Sequence, residues 1–208
     1  MSGAPLVVTS YRDRPEVGHQ LFASTCNPLY ESAFPPQQRI ALDVIGATLS
    51  TGRRRLYVAG DDAAGDVSGF ALVLPLSPAT VLLEYMAVDE ARRSRGVGSR
   101  LFTSLCEAET DAGATAVYLE IDDPDETGLT ADARQERNRR AAFHRRNSAH
   151  PVPAAIRYVP SSMSDVGPAP ALQLLAFTGR ATLSFQDATA ALAAIAEHSY
   201  GQPSPEGS

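Results

Sequence analysis

The chain has no lysine and no tryptophan, and all 18 of its basic residues other than histidine are arginine. Without lysine there is no Schiff-base nucleophile and no phosphate-binding lysine of the Walker type. Cysteine is scarce as well: Cys26 and Cys106 stand far apart, with no CxxC and no Cys/His spacing. That excludes a zinc site or a redox pair and leaves two reduced, buried thiols. His19, His150 and His198 have no neighbours at metal-ligand spacing, so no metal is expected. No stretch approaches the ~18–20 apolar residues of a membrane span, and no basic segment leads into an apolar one at the N-terminus. The chain is expected to be soluble and cytoplasmic, with no membrane partner. Positive charge is not in excess either. The net charge is −6 and the pI about 5.2, which argues against a nucleic-acid partner, since that needs a basic face. The arginine-for-lysine bias, with much alanine and glycine, points to a GC-rich bacterial genome.

What is present is ordinary for a globular protein: 208 residues, 44% hydrophobic and 20% charged. Residues 5–11 read as a first strand, followed by helices over 16–25 and 36–50 with a Phe-Pro-Pro loop between them. Residues 54–61 and 67–76 form a hairpin across the polar turn 61–66, and 81–88 is an apolar strand interrupted by Glu84. Val97, Leu101, Leu105, Ala108 and Ala112 recur at helical spacing over 96–112, and Gly113 ends that helix. Residues 116–122 alternate, with Val117, Leu119 and Ile121 on one face and Tyr118, Glu120 and Asp122 on the other. A charged loop and a very basic helix over 134–147 follow. Beyond them come a proline-rich stretch (151–170), an apolar strand (172–178) and an alanine-rich helix (185–199). Ser184 and Asp187 pair as its N-terminal cap, and Gly201 stops it. The tail 202–208 is expected to be disordered.

The stretch that carries chemistry is Arg93-Ser94-Arg95-Gly96-Val97-Gly98, between the strand ending at Val88 and the helix over 96–112. Glycine lets backbone approach a ligand, and several amides would converge at the positive end of a helix dipole. That is a pyrophosphate site. It has neither the three glycines of the dinucleotide fingerprint nor the Gly-Lys-Ser/Thr ending of a Walker loop.

In this strand–turn–helix setting the sequence resembles the GNAT acetyltransferase superfamily, whose acetyl-CoA loop reads Gln/Arg-x-x-Gly-x-Gly/Ala. The resemblance covers residues 54–147. It implies an α/β fold with a mixed, mostly antiparallel central sheet flanked by helices, extended here by a C-terminal strand and helix. It implies one GNAT domain over residues 1–200, divergent from 151 onward. It implies acetyl-CoA as cofactor, with the diphosphate on the amides of Ser94, Arg95, Gly96, Val97, Gly98 and Ser99 and with Arg93 in the first motif position. The pantetheine arm would pair with Met86 and Val88 where that strand splays from residues 116–122. The amide region of Met86 and Ala87 would polarise the thioester carbonyl. A homodimer is a family-level possibility.

Acetyl transfer to an amine needs a neutral amine and a proton for the departing thiolate. Glu84, among Leu82, Leu83, Tyr85 and Met86, is the candidate base; its alternative is a structural glutamate paired with an arginine. The family's usual tyrosine acid is replaced by His144, in Phe143-His144-Arg145-Arg146-Asn147-Ser148, and Ser148 replaces a glycine. His144 is the candidate acid, or a histidine with no catalytic part. Tyr85 and Tyr118 are further candidates, or core aromatics. Glu120, Asp122, Asp123, Asp125 and Glu126 could recognise a cationic amine, or pair with the basic helix. The reading is an acetyl-CoA-dependent N-acetyltransferase acting on a small-molecule amine. A protein lysine or N-terminal acetyltransferase and a non-catalytic acyl-CoA sensor stand as alternatives.

Overall fold

A computed structural model describes residues 6–61, 66–153, 156–158, 171–179 and 182–200. The expected turn at 62–65, most of the proline-rich stretch, the stop at Gly201 and the tail lie outside them. The chain forms two compact units: Met1–Pro75 with Leu83–Ala108, and Leu76–Leu82 with Glu109–Ser208.

In the first unit, β1 (Leu6–Ser10) pairs antiparallel with β2 (Arg55–Asp61), and β2 with β3 (Asp66–Ser77). β4 (Thr80–Val88) lies beside β3. Their approach is close at one point. A Cβ on Gly69 would stand 2.8 Å from the carbonyl oxygen of Ala87, so only glycine fits there.

Between β1 and β2 the chain is helical for longer than its composition suggests. α1 (Pro15–Leu21) runs through a π-helical turn (Phe22–Cys26) directly into α2 (Asn27–Ala33). Pro28 explains the widened turn. It has no N–H to donate, and its ring crowds the carbonyl four residues back. The Asn27 N–H instead reaches Phe22 O, five residues back. The expected single helix over 36–50 is divided. A 3-10 turn (Pro36–Gln38) is followed by extended backbone at Arg39 and then by α3 (Leu42–Ser50). Phe22, Cys26, Tyr30, Ile45 and Leu49 from the helices meet Leu56, Val58, Phe70, Leu72, Tyr85 and Ala87 from the strands in one core cluster. Tyr30 and Phe34 stand edge-on to Tyr85, at 5.0 and 4.9 Å between ring centroids. Burial raises the Cys26 thiol to about 12, as expected of an inert core cysteine.

α4 (Val97–Asp111) buries Val97, Leu101 and Leu105 of the expected stripe together with Phe102 and Cys106, while Ala108 is half-buried and Ala112 lies exposed beyond the helix end.

In the second unit, β5 (Ala116–Asp122) pairs antiparallel with β8 (Leu172–Phe177), from Val117 opposite Phe177 to Asp122 opposite Leu172. The free edge of β8 takes two short strands, β6 (His150–Pro151) and β7 (Arg157–Tyr158). α5 (Ala131–Arg146) is capped by Thr130, whose hydroxyl accepts from the Ala133 N–H at 3.2 Å. α6 (Phe185–Tyr200) carries the expected reciprocal cap. Asp187 accepts from Ser184 N–H at 2.8 Å, and Ser184 Oγ accepts from Asp187 N–H at 3.1 Å. On β5, Val117, Leu119 and Ile121 are buried and Glu120 and Asp122 half-buried. Tyr118 is fully buried and donates to Asp187 O at 3.5 Å, because α6 lies over that face.

Candidate active site

β4 ends at Val88, and a single 3-10 turn (Glu90–Arg92) redirects the chain. The Asp89 N–H donates to Ser68 O at 2.9 Å, and the Asp89 carboxylate caps the turn by accepting from Ala91 N–H at 2.8 Å. The loop that follows turns through two left-handed residues, Ser94 at φ 62° and Gly96 at φ 80°. Glycine suits the second; Ser94 is a non-glycine residue in a region that costs energy, as binding loops often show. Val97 then starts α4. The Arg100 N–H bonds to Gly96 O at 3.0 Å, while the first amides of a helix have no intrahelical acceptor. Residues 93–96 are exposed, and a Cβ on Gly96 would meet nothing within 4 Å. An exposed, glycine-permitted turn at the positive end of a 15-residue helix fits a diphosphate. Arg93 folds back on the strand, its Nε donating to Val88 O at 3.2 Å. It thus engages the backbone of Val88, one of the two residues expected to pair with the pantetheine arm.

Glu84 points at Arg54. Arg54 Nε donates to one carboxylate oxygen at 2.6 Å and its second nitrogen to the other at 2.9 Å, and both side chains are 4% exposed. The third arm of the guanidinium donates to Thr48 Oγ1 on α3 at 2.8 Å. The Arg54 N–H binds Thr48 O at 2.9 Å. Burial works against the arginine charge, but the bonds to Glu84 prevail and raise its pKa. Both carboxylate oxygens are committed, an arrangement that favours a structural glutamate over a base.

Tyr85 is equally engaged. Its hydroxyl donates to Gln38 O at 2.8 Å and accepts from Ile40 N–H at 3.2 Å. Burial, and after it the neighbouring Tyr30, pushes its pKa far up. An early sign of this role lies only in its position on an apolar strand.

His144 lies in the second unit, near the C-terminal end of α5, and is 7% exposed. Burial, with a smaller contribution from Arg140, lowers its pKa to about 4. It is therefore neutral at pH 7, opposite to the imidazolium expected of an acid. Tyr118 is raised to about 12, again by burial.

The acidic set is met by three arginines and a tyrosine. Asp122 pairs with Arg140 at 2.6 Å and Glu126 with Arg137 at 2.5 Å. Asp123 and Asp125 take Arg157 at 3.1 and 2.6 Å, and Glu120 accepts from the Tyr158 hydroxyl. Arg134 and Arg137 also donate to the carbonyls of Pro124 and Asp123 at 3.1 and 2.8 Å. The basic helix therefore braces the acidic loop. Arg157, which completes this arrangement, carried no signal in the sequence.

The expected site residues fall into two groups. Glu84, Tyr85, Met86, Ala87, Val88 and residues 93–99 belong to the first unit, and His144 to the second.

The model of the acetyltransferase (GNAT) family matches residues 20–130. The chain belongs to this family of acyltransferases. No curated protein matches it. Among solved structures, a GNAT-family protein from Bacteroides thetaiotaomicron has a TM-score of 0.67 at 18% identity, covering 95% of this chain and 99% of that chain. The IAA acetyltransferase from Bacillus cereus has a TM-score of 0.56 at 15% identity, covering 83% of this chain and 99% of that one. An aminoglycoside 6′-N-acetyltransferase complexed with coenzyme A has a TM-score of 0.56 at 16% identity, covering 86% and 99%. At these identities the likeness is one of fold: the α/β architecture of helices against a mostly antiparallel sheet. Among the described residues no helix is long and apolar enough to cross a membrane.

Proposed function

We propose that the protein transfers an acetyl group from acetyl-CoA to a small-molecule amine by direct attack of the amine on the thioester. Bound acetyl-CoA would supply the activated acyl carbon and a thiolate leaving group. The amides of residues 94–99 hold its diphosphate. Met86, Ala87 and Val88 align the pantetheine arm by backbone contacts, and the Met86–Ala87 amide region polarises the carbonyl. The observation that carries this reading is the exposed turn with left-handed Ser94 and Gly96 at the start of α4. A small acceptor is favoured by the aminoglycoside 6′-N-acetyltransferase among the structures that share this fold.

Proton handling is assigned differently from the sequence reading. Glu84 anchors β4 through Arg54, Tyr85 is committed to backbone, and His144 is neutral. The amine then attacks as its free base. Its nitrogen forms the new bond to the acyl carbon, the C–S bond breaks, the amine gives its proton to water and the thiolate takes one from water. The commitment of Glu84 and Tyr85 to structural bonds, with His144 neutral, favours a second reading, an acyl-CoA-binding module without turnover.

One experiment separates the two. Thiol release from acetyl-CoA is measured across a panel of small amines and lysine peptides, beside calorimetric titration with CoA. Turnover that is fastest with a small amine is the expected result. Preferred turnover of peptides would overturn the small-molecule assignment, and tight CoA binding with no turnover would favour the second reading.

A further inference from the structure

One residue of β3 has no partner on β2. Ala59 pairs with Gly69 and Gly60 with Val67, so the buried Ser68 is an extra residue, a bulge. Its carbonyl accepts the Asp89 N–H at 2.9 Å, just past the end of β4. The next residue, Gly69, lies so close to β4 that an added Cβ would stand 2.8 Å from Ala87 O, 3.3 Å from Val88 Cγ2 and 3.4 Å from Val88 Cα. Bulges bend a strand, sharpen its twist and gather beside active sites. This one meets the residues where β4 ends and the turn toward residues 93–99 starts. Carbonyls alternate in direction along a strand, so with Ala87 O on the β3 side those of Met86 and Val88 point away from β3. From the loop, Arg93 Nε takes Val88 O at 3.2 Å, and between them the Asp89 carboxylate holds the turn at Ala91 N–H. The end of β4 is thus fixed to β3 on one side and to the loop on the other.

We infer that Ser68 and Gly69 are positioning residues for acetyl-CoA. They set the last residues of β4, which align the pantetheine arm and the thioester, at a fixed offset from the loop that holds the diphosphate. One extended ligand has to fit both places at once, so the offset decides how well it binds. The inference rests on the acetyl-CoA binding of the proposed function and holds equally for a module without turnover.

Gly69→Ala drives a methyl group against the Ala87 carbonyl and displaces the end of β4 from the loop. CoA affinity in calorimetry falls about tenfold, and with turnover the acetyl-CoA KM rises by a like factor while the acceptor KM stays as in the wild type. Gly18→Ala is the control. Its methyl is as crowded, 2.9 Å from Tyr11 Cβ, but far from β4 in the chain and on α1. It lowers stability and leaves CoA affinity unchanged. The wild type supplies a second measurement that stands even if Gly69→Ala does not fold. With CoA at about ten times its Kd, hydrogen exchange at the Asp89 amide slows about tenfold, and at the Gly18 amide, bonded to Arg14 O, by less. Wild-type CoA affinity in Gly69→Ala overturns the inference, as do equal losses in the two variants, a rise in both KM values, or equal slowing of the two amides. If the wild type binds no CoA, the proposed function itself falls. If it binds CoA and Gly69→Ala binds it as well, only the inference falls.

Discussion

Arg54 and Glu84 meet as a two-toothed pair, with bonds of 2.6 and 2.9 Å and hardly any exposure on either side. The third arm of the guanidinium on Thr48 makes the pair a tie between β4, the approach to β2 and the last turn of α3. Its weight is best measured by removing its halves separately and together.

Arg54→Met leaves a carboxylate buried without its partner and should cost about 3–5 kcal/mol of unfolding free energy. Arg54→Met combined with Glu84→Leu should recover most of that loss, because an apolar pair has nothing to desolvate. Urea unfolding of the two single variants and the double variant is the measurement. Simple addition of the single losses would show that the pair does not act as a unit.

If Glu84 anchors and the amine attacks as its free base, the pH dependence of kcat/KM belongs to the substrate. Two acceptors whose amine pKa values differ by about two units should show inflections displaced by the same amount. Glu84→Gln should lower stability and keep that displacement. A base would behave otherwise: one inflection common to both acceptors, and a loss of about 10²–10⁴ in rate with Glu84→Gln.

His144 links stability to pH. Its folded pKa, about 4, lies below the usual 6.5, so between these values the unfolded chain holds the extra proton. Stability therefore rises with pH through this window and is lost as pH falls from about 6.5 to about 4, with no further change from this residue below that. The full effect is on the order of 3 kcal/mol. His144→Phe should flatten this part of the profile relative to the wild type. Parallel profiles from pH 7.5 down to 4.5 in urea unfolding would contradict the assignment.

Gly96→Ala tests the cradle with CoA alone. A methyl at Gly96 meets nothing within 4 Å, so its only effect is strain at φ 80°. That strain is about 1–2 kcal/mol, or about tenfold in CoA affinity if the loop relaxes out of its binding shape. Gly52→Ala is the control: φ is 72°, the site is equally open, and the residue lies at the end of α3. It should lower stability and leave CoA affinity unchanged in calorimetry. Equal affinity losses in both variants would place the effect in folding and not in the cradle.

Local signals survived the passage from sequence to structure. β5 begins and ends at the expected residues, and Ser184 with Asp187 caps α6 as its spacing requires. The turn before α4 was legible because glycine at a left-handed position leaves a mark in one dimension. Contacts over long separations left none. Residues 39–41 leave the helix that their neighbours favour, and hydroxyls at Tyr30 and Tyr85 take the backbone groups of Ile40. Glu84 was visible as a lone charge in an apolar strand, but nothing in the order of residues singles out Arg54 from its neighbours Arg53 and Arg55. The two-residue strands β6 and β7 are too short to show a period of two. The π-helical turn before Pro28 was not legible, because its form depends on the core that Phe22, Cys26 and Tyr30 enter together.

The cover on β8 bears on how the protein behaves at high concentration. A bare strand edge is a template on which another chain can lay its own strand. Here Pro151 and His150 face Leu175 and Ala176, and Arg157 and Tyr158 face Gln173 and Leu172. Between them Val152 N–H reaches Leu174 O, and Leu174 N–H reaches Ile156 O. The short strands themselves are held from outside the ladder, by the bonds of Arg157 to Asp123 and Asp125 and of Tyr158 to Glu120. Sheet-to-sheet fusion through β8, the route to runaway fibres as well as to a continuous dimer, first requires those ionic fastenings to open. Acid or high salt, which weakens them, is then the condition under which this edge becomes sticky.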